Sequence, residues 1–119
     1  MYNCKERAMT VLDLSGMCAY LDGGIEEERE IIAVFVSKAE QDLNAIAAAC
    51  AAQDEHEWRE ACHSLKGSAA LLGAEILREA CFKGEKTQDV APETLESIKN
   101  EINAAHKDVV QALREEGLC

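Results

Sequence analysis

Aromatic side chains are scarce in this chain: Phe, Trp and Tyr make up 4% of its 119 residues, although 48% of them are hydrophobic. A core must therefore be assembled from Ala, Leu, Ile and Val. Proline occurs once, and no segment alternates apolar and polar residues as a half-buried strand does. Both absences favour helix over sheet. Cations are also few. Against 23 acidic residues stand 12 Lys and Arg, for a net charge of −11, so nucleic acid and anionic membranes are poor partners. No apolar run approaches the roughly 18 residues that a membrane span needs. The N-terminal MYNCKERAMTVLDL has no signal-peptide core. A cytoplasmic location is the default expectation.

Six cysteines are present (Cys4, Cys18, Cys50, Cys62, Cys81 and Cys119), with no C-x-x-C pair and no clustered zinc-ligand spacing. Four of them fall within helical patterns. Reduced, small core residues account for them better than disulfides, a metal site or thiol redox chemistry. The sequence also contains no glycine-rich phosphate loop and no nucleotide motif.

What the chain does have is helical periodicity. Leu14, Met17, Cys18 and Leu21 suggest a short first helix with Ser15 as a candidate cap, broken by Asp22-Gly23-Gly24. A long helix follows from about Ile25 to Ala52. It opens on Glu26-Glu27-Glu28, which suits the positive end of the helix dipole. Ile32, Phe35, Ala39, Leu43, Ile46 and Cys50 form its apolar stripe, with Val34 off that stripe. Asp54, with Glu57 three residues on, can cap the next helix, which runs to about Leu72 and is ended by Gly73. A further helix starts near Ala74 on Ile76, Leu77, Ala80 and Cys81, and its far end is weakened by Gly84 and the polar GEKTQ stretch. Pro92 suits a first turn. Leu95, Ile98, Ile102, Ala105, Val109 and Leu113 then repeat out to about Glu115. The fold class is all-α: an antiparallel four-helix bundle with a short N-terminal helix as a lid. A single domain over 1–119, its core from about 11 to 115, is expected.

The segment CHSLKGSAALLG, Cys62 to Gly73, poses a problem within this pattern. Gly67 lies mid-helix, where glycine costs about 1 kcal/mol relative to alanine. On a helical wheel, Trp58, Ala61, Cys62, Leu65, Ala69 and Leu72 define the core direction. Relative to it, His63 falls at roughly 140°, Lys66 near 80°, Arg59 near 100°, Ala70 near 120° and Gly67 near 180°. The histidine projects outward, and the residues one and two turns beyond it are very small. A large partner could approach the imidazole closely, although the wheel alone leaves Gly67 open to being a tolerated surface glycine. Neutral imidazole carries a nucleophilic lone pair near pH 7. Lys66 on the same edge would disfavour protonation of His63 and could neutralise a phosphoryl group held on the ring. His56, one further turn-pair back, is expected to be a plain surface histidine. His106 has no motif around it and is assigned no role. Cys62 and His63 point about 100° apart, which makes them poor joint metal ligands.

The full string HSLKGSAALLGA, His63 to Ala74, resembles the signature of histidine-containing phosphotransfer (HPt) domains: His-x-Leu-Lys-Gly, small residues, an apolar residue, then Gly-Ala. AVFVSKAEQDLNAIAAA and VLDLSGMCAYLDGG sit where such domains carry their long preceding helix and N-terminal helix, so the likeness spans about Val11 to Leu113. The resemblance implies a phosphorelay carrier without ATP-dependent kinase activity of its own. Its phosphoryl group would come from a receiver-domain aspartate and pass to another receiver. It implies His63 as phosphoacceptor through Nε2, Lys66 as phosphoryl stabiliser, Gly67 as the clearance for docking and Gly73 as the helix stop. No cofactor of its own is implied, since Mg²⁺ would sit on the receiver. The implied partners are response-regulator receivers and a hybrid sensor histidine kinase, met by a monomer. The HPt pattern commonly has a longer hairpin after the motif than Gly84 suggests here. The competing reading is a helical adaptor that docks such domains without being phosphorylated.

Overall fold

The computed structural model describes residues 10–18 and 24–118, with backbone alone at Cys18 and Ile25. Among the described residues five helices follow one another: α1 (Ser15–Cys18), α2 (Ile25–Ala52), α3 (Glu55–Leu71), α4 (Glu75–Lys86) and α5 (Pro92–Glu115). Neither a strand nor a membrane-length apolar helix occurs among the described residues. From α2 onward, short links reverse the chain at each step. α2 packs on α3, α3 on α4, α4 on α5, and α5 closes back on α2. The result is an antiparallel four-helix bundle in sequential order.

The core is built from the positions that periodicity marks. Trp58, Ile32, Ile46, Leu65, Leu95, Ile102 and Leu113 are fully buried, with Cys62 and Cys81 between them. Phe35 and Leu43 flank the core half-buried, and Val34 points to solvent at 65% exposure. Asp54 caps α3 as its spacing suggests, its carboxylate accepting from the Glu57 N–H at 3.1 Å. Pro92 opens α5.

Two expectations about the helix ends need correction. Ser15 is not a cap but the first residue of α1; the Asp13 carboxylate does the capping, accepting from Ser15 N at 3.0 Å and Ser15 Oγ at 2.7 Å. Leu21, Asp22 and Gly23, assigned to the end of that segment, lie outside the described residues. Gly84 does not weaken α4, which continues to Lys86 with Gly84 buried inside it.

The α3–α4 turn is pinned by the segment before α1. Gly73 has φ +64°, a left-handed conformation that suits glycine. A Cβ there would also fall on the backbone carbonyl of Asp13. That close approach lets Asp13 N donate to Leu72 O at 3.2 Å and Ile76 N to Thr10 O at 3.1 Å. Thr10 Oγ1 also donates to Glu75 Oε1 at 3.0 Å. Gly73 thus both ends α3 and seats the N-terminal segment across the turn.

Candidate functional site

α3 turns His63 outward because its neighbours Cys62 and Leu65 are both fully buried. The His63 side chain is 67% exposed. Gly67, one turn on, faces open space: a Cβ placed there would meet nothing within 4 Å. Ala70, two turns on, is exposed as well. The wheel's placement of all three is therefore realised, and no packing constraint inside the bundle requires glycine at 67.

Lys66 is turned toward α4. Its Nζ donates to Glu85 Oε1 at 2.6 Å, while Glu85 Oε2 lies 2.8 Å from His63 Nδ1. One carboxylate thus bridges the histidine and the lysine. The Lys66 ammonium, followed by the His63 ring, holds the Glu85 carboxyl below the usual carboxylate range, while partial burial pushes the other way. An ionised carboxylate can only accept hydrogen bonds, so Nδ1 donates to it. The lone pair of a neutral ring then resides on Nε2, on the open side of the imidazole.

Glu85 is where it is because the end of α4 is sewn to α3. The last carbonyls of a helix lack partners inside it. Here Trp58 Nε1 donates to Gly84 O at 2.8 Å, Arg59 Nη1 to Glu85 O at 2.6 Å and Arg59 Nη2 to Thr87 O at 2.8 Å. Arg59 also brings a positive charge to the negative end of the helix dipole. Gly84 makes the approach possible. A Cβ on it would lie 2.8 Å from Cys62 Sγ, 3.2 Å from Ile98 Cγ2 and 3.4 Å from Trp58 Cζ2. The two mid-helix glycines therefore differ: Gly67 leaves the outer face clear, and Gly84 lets two helices close up.

A second polar group occupies the α2 flank of the same turn of α3. Asp42 is 6% exposed and accepts from Lys38 Nζ at 2.8 Å and from Ser64 Oγ at 2.9 Å, and Lys38 Nζ also reaches Ser64 Oγ at 2.7 Å. This buried carboxylate is doubly bonded, as burial of a charge demands. It ties α2 to the residue next to His63.

Of the other histidines, His56 is exposed, one face with His63, and has no contact that draws it into the bridge. His106 is buried at 7% exposure, with Nδ1 unpartnered among the described residues, and burial holds its pKa low. Cys50, Cys62 and Cys81 are free thiols in the core. Burial pushes Cys62 up to about 12 and Cys81 higher still, which suits inert core residues. Among the described residues no cluster of His, Cys, Asp and Glu could hold a metal ion.

Sequence reasoning missed Glu85 and the Asp42 group. Carrying the α4 pattern Leu77, Cys81 one step further to Gly84 places Glu85 at the core edge facing α3; ending the helix at the glycine concealed it. Asp42 was legible as a charge three residues after Ala39 and four before Ile46, within the apolar stripe of α2.

Compared with known proteins, residues 30–115 match the family model described as the Hpt domain. No curated protein and no solved structure matches the chain.

Proposed function

The chain belongs to the Hpt domain family, the phosphotransfer modules of two-component phosphorelays, and from that premise we propose that His63 is its phosphoacceptor, loaded by a receiver-domain aspartyl phosphate and discharged to another receiver. The observation that carries this reading is the Glu85 bridge: Nδ1 is engaged at 2.8 Å while the exposed ring presents Nε2 outward. In the reaction, the Nε2 lone pair attacks phosphorus, the P–O bond to the aspartyl carboxyl breaks, and its electron pair returns to the departing carboxylate. The imidazole gains positive charge as the new N–P bond forms. Glu85, already accepting from Nδ1, stabilises that charge or takes the Nδ1 proton. Reversal of the same steps delivers the phosphoryl group to the next aspartate.

Lys66 supplies positive charge for the phosphoryl oxygens from one carboxylate away. Gly67 and Ala70 leave the approach free of side chains, and exposed Leu71 with Val34 adds apolar surface for a docked domain. Mg²⁺ and the acidic pocket belong to the receiver on this reading, and the chain itself works without ATP.

The test is incubation with a panel of phosphorylated receivers from the same organism. The protein should acquire acid-labile, base-stable phosphate, His63→Gln should acquire none while retaining its helicity, and labelled protein should return the phosphate to a fresh receiver. If no receiver labels the wild type but receivers still bind it, the chain is an adaptor.

A further inference from the structure

Phe82 is the one large aromatic side chain left on the surface among the described residues, at 41% exposure. It lies on α4 one turn before Lys86 and beside the Glu85 bridge. Two ammonium groups gather on its ring: Lys66 Nζ at 5.3 Å from the centroid, from α3, and Lys86 Nζ at 5.7 Å, from α4. Both distances fall within the range of cation–π attraction. The charge balance here is unusual for so acidic a chain. Lys66 has Glu85 as its counterion, and Glu85 is already shared with His63. Nearby Lys83 is paired with Glu101, and Arg59 with Glu55. Lys86 has no carboxylate within ion-pair distance among the described residues.

On the strength of that arrangement, and resting on the reading of His63 above, we propose that Lys86 is a positioning cation that takes over as counterion of Glu85 when Lys66 turns to the phosphoryl group, and that Phe82 holds it in reserve until then. With neutral His63, the cluster of Lys66, Lys86 and Glu85 carries one net positive charge. Once the phosphorylated ring has released its Nδ1 proton to solvent, the phosphoryl group on Nε2 leaves nearly two negative charges close to the Glu85 carboxylate. If Lys66 swings to the phosphoryl oxygens, Glu85 loses its counterion. Lys86, on the next residue and already drawn toward the same ring, replaces it. The phosphorylated state then keeps a counterion on both anions. Without Lys86 the cluster holds one more uncompensated negative charge, which penalises the phosphorylated state specifically.

Phosphoramidate is the probe, because it loads histidine without a receiver; its P–N bond breaks and ammonia leaves. The full chain, Lys86→Gln, Lys86→Arg and Phe82→Leu are each treated with it at low and at high salt. Initial loading rate and phosphohistidine half-life are read by ³¹P NMR. Lys86→Gln should load about threefold to tenfold more slowly at low salt, with the deficit shrinking at high salt as screening sets in. Lys86→Arg should restore the rate, and Phe82→Leu should show part of the deficit. Circular dichroism and Tm should be unchanged across the set. Equal loading by Lys86→Gln and wild type at low salt would overturn the inference while leaving His63 as acceptor. So would a deficit that Arg does not rescue or that salt does not reduce. Loading of Phe82→Leu at the wild-type rate would overturn the role given to the aromatic ring. Wild type that takes no phosphate on His63 contradicts the underlying reading instead.

Discussion

The same substitution should have opposite effects at the two mid-helix glycines. At Gly67 an added methyl group meets nothing within 4 Å. Gly67→Ala therefore gains only helix propensity and should stabilise the fold by about 1 kcal/mol. At Gly84 the same propensity gain is opposed by overlap. The new Cβ would sit 2.8 Å from Cys62 Sγ, 3.2 Å from Ile98 Cγ2 and 3.4 Å from Trp58 Cζ2. Cys62 and Trp58 are fully buried and have no solvent to retreat into. Overpacking of this kind costs typically ~1–3 kcal/mol, and separation of α3 from α4 would also stretch the Trp58 bond to the Gly84 carbonyl. Gly84→Ala should be destabilised by about 1–2 kcal/mol net of propensity. In a domain of this size 1 kcal/mol moves Tm by roughly 4 °C, so thermal melts should place Gly67→Ala a few degrees above wild type and Gly84→Ala several degrees below. A Cys62→Ala background should remove much of the Gly84→Ala deficit, since the closest atom is then absent. If both alanine variants shift Tm in the same direction, or if Cys62→Ala fails to relieve the deficit, the packing explanation is wrong.

Other consequences follow from the same contacts. Gly67→Gln should keep its helicity while slowing transfer from a phosphorylated receiver at least tenfold, because its side chain occupies the approach to His63; an unchanged rate would remove the steric role. Glu85 has a depressed carboxyl pKa, so its bridge contributes stability above about pH 4.5 that is lost as pH falls through the lower folded-state value. Urea unfolding measured across that acid range should therefore show a shallower decline for Glu85→Gln than for wild type, and parallel curves would contradict the bridge. Cys62 and Cys81, raised by burial, should resist a thiol reagent at pH 8 in the native protein and react fully in denaturant, as mapped by mass spectrometry. Rapid native labelling of either would show that the α3–α4 core opens.

Most of the bundle was legible because its helices are long and their apolar positions recur at three and four. α2 ends where the pattern ends, and every apolar position named on α5 is buried. The outward placement of His63 and Gly67 was legible for the same reason: a wheel needs only the core residues of one helix. Glu85 was not, because its role depends on how far α4 runs and how closely it approaches α3. Local propensity reads glycine as a helix breaker, whereas Gly84 is retained for contact with Cys62 and Trp58, residues distant in sequence. Lys66 was legible as a cation near the histidine, but not as the partner of a carboxylate that also holds the ring. The pairing arises between helices, and no periodicity within one of them encodes it.

The central claim is that Glu85 fixes the Nδ1 proton of His63 and so leaves Nε2 as the nucleophile. Long-range ¹H–¹⁵N correlation spectra of the His63 ring, recorded before and after phosphorylation, test it directly. The account predicts a protonated Nδ1 in the unmodified protein at neutral pH and phosphorus coupled to Nε2 afterwards, with the preference lost in Glu85→Ala, which removes the acceptor. Phosphorylation at Nδ1, or phosphate on any residue other than His63, would contradict it.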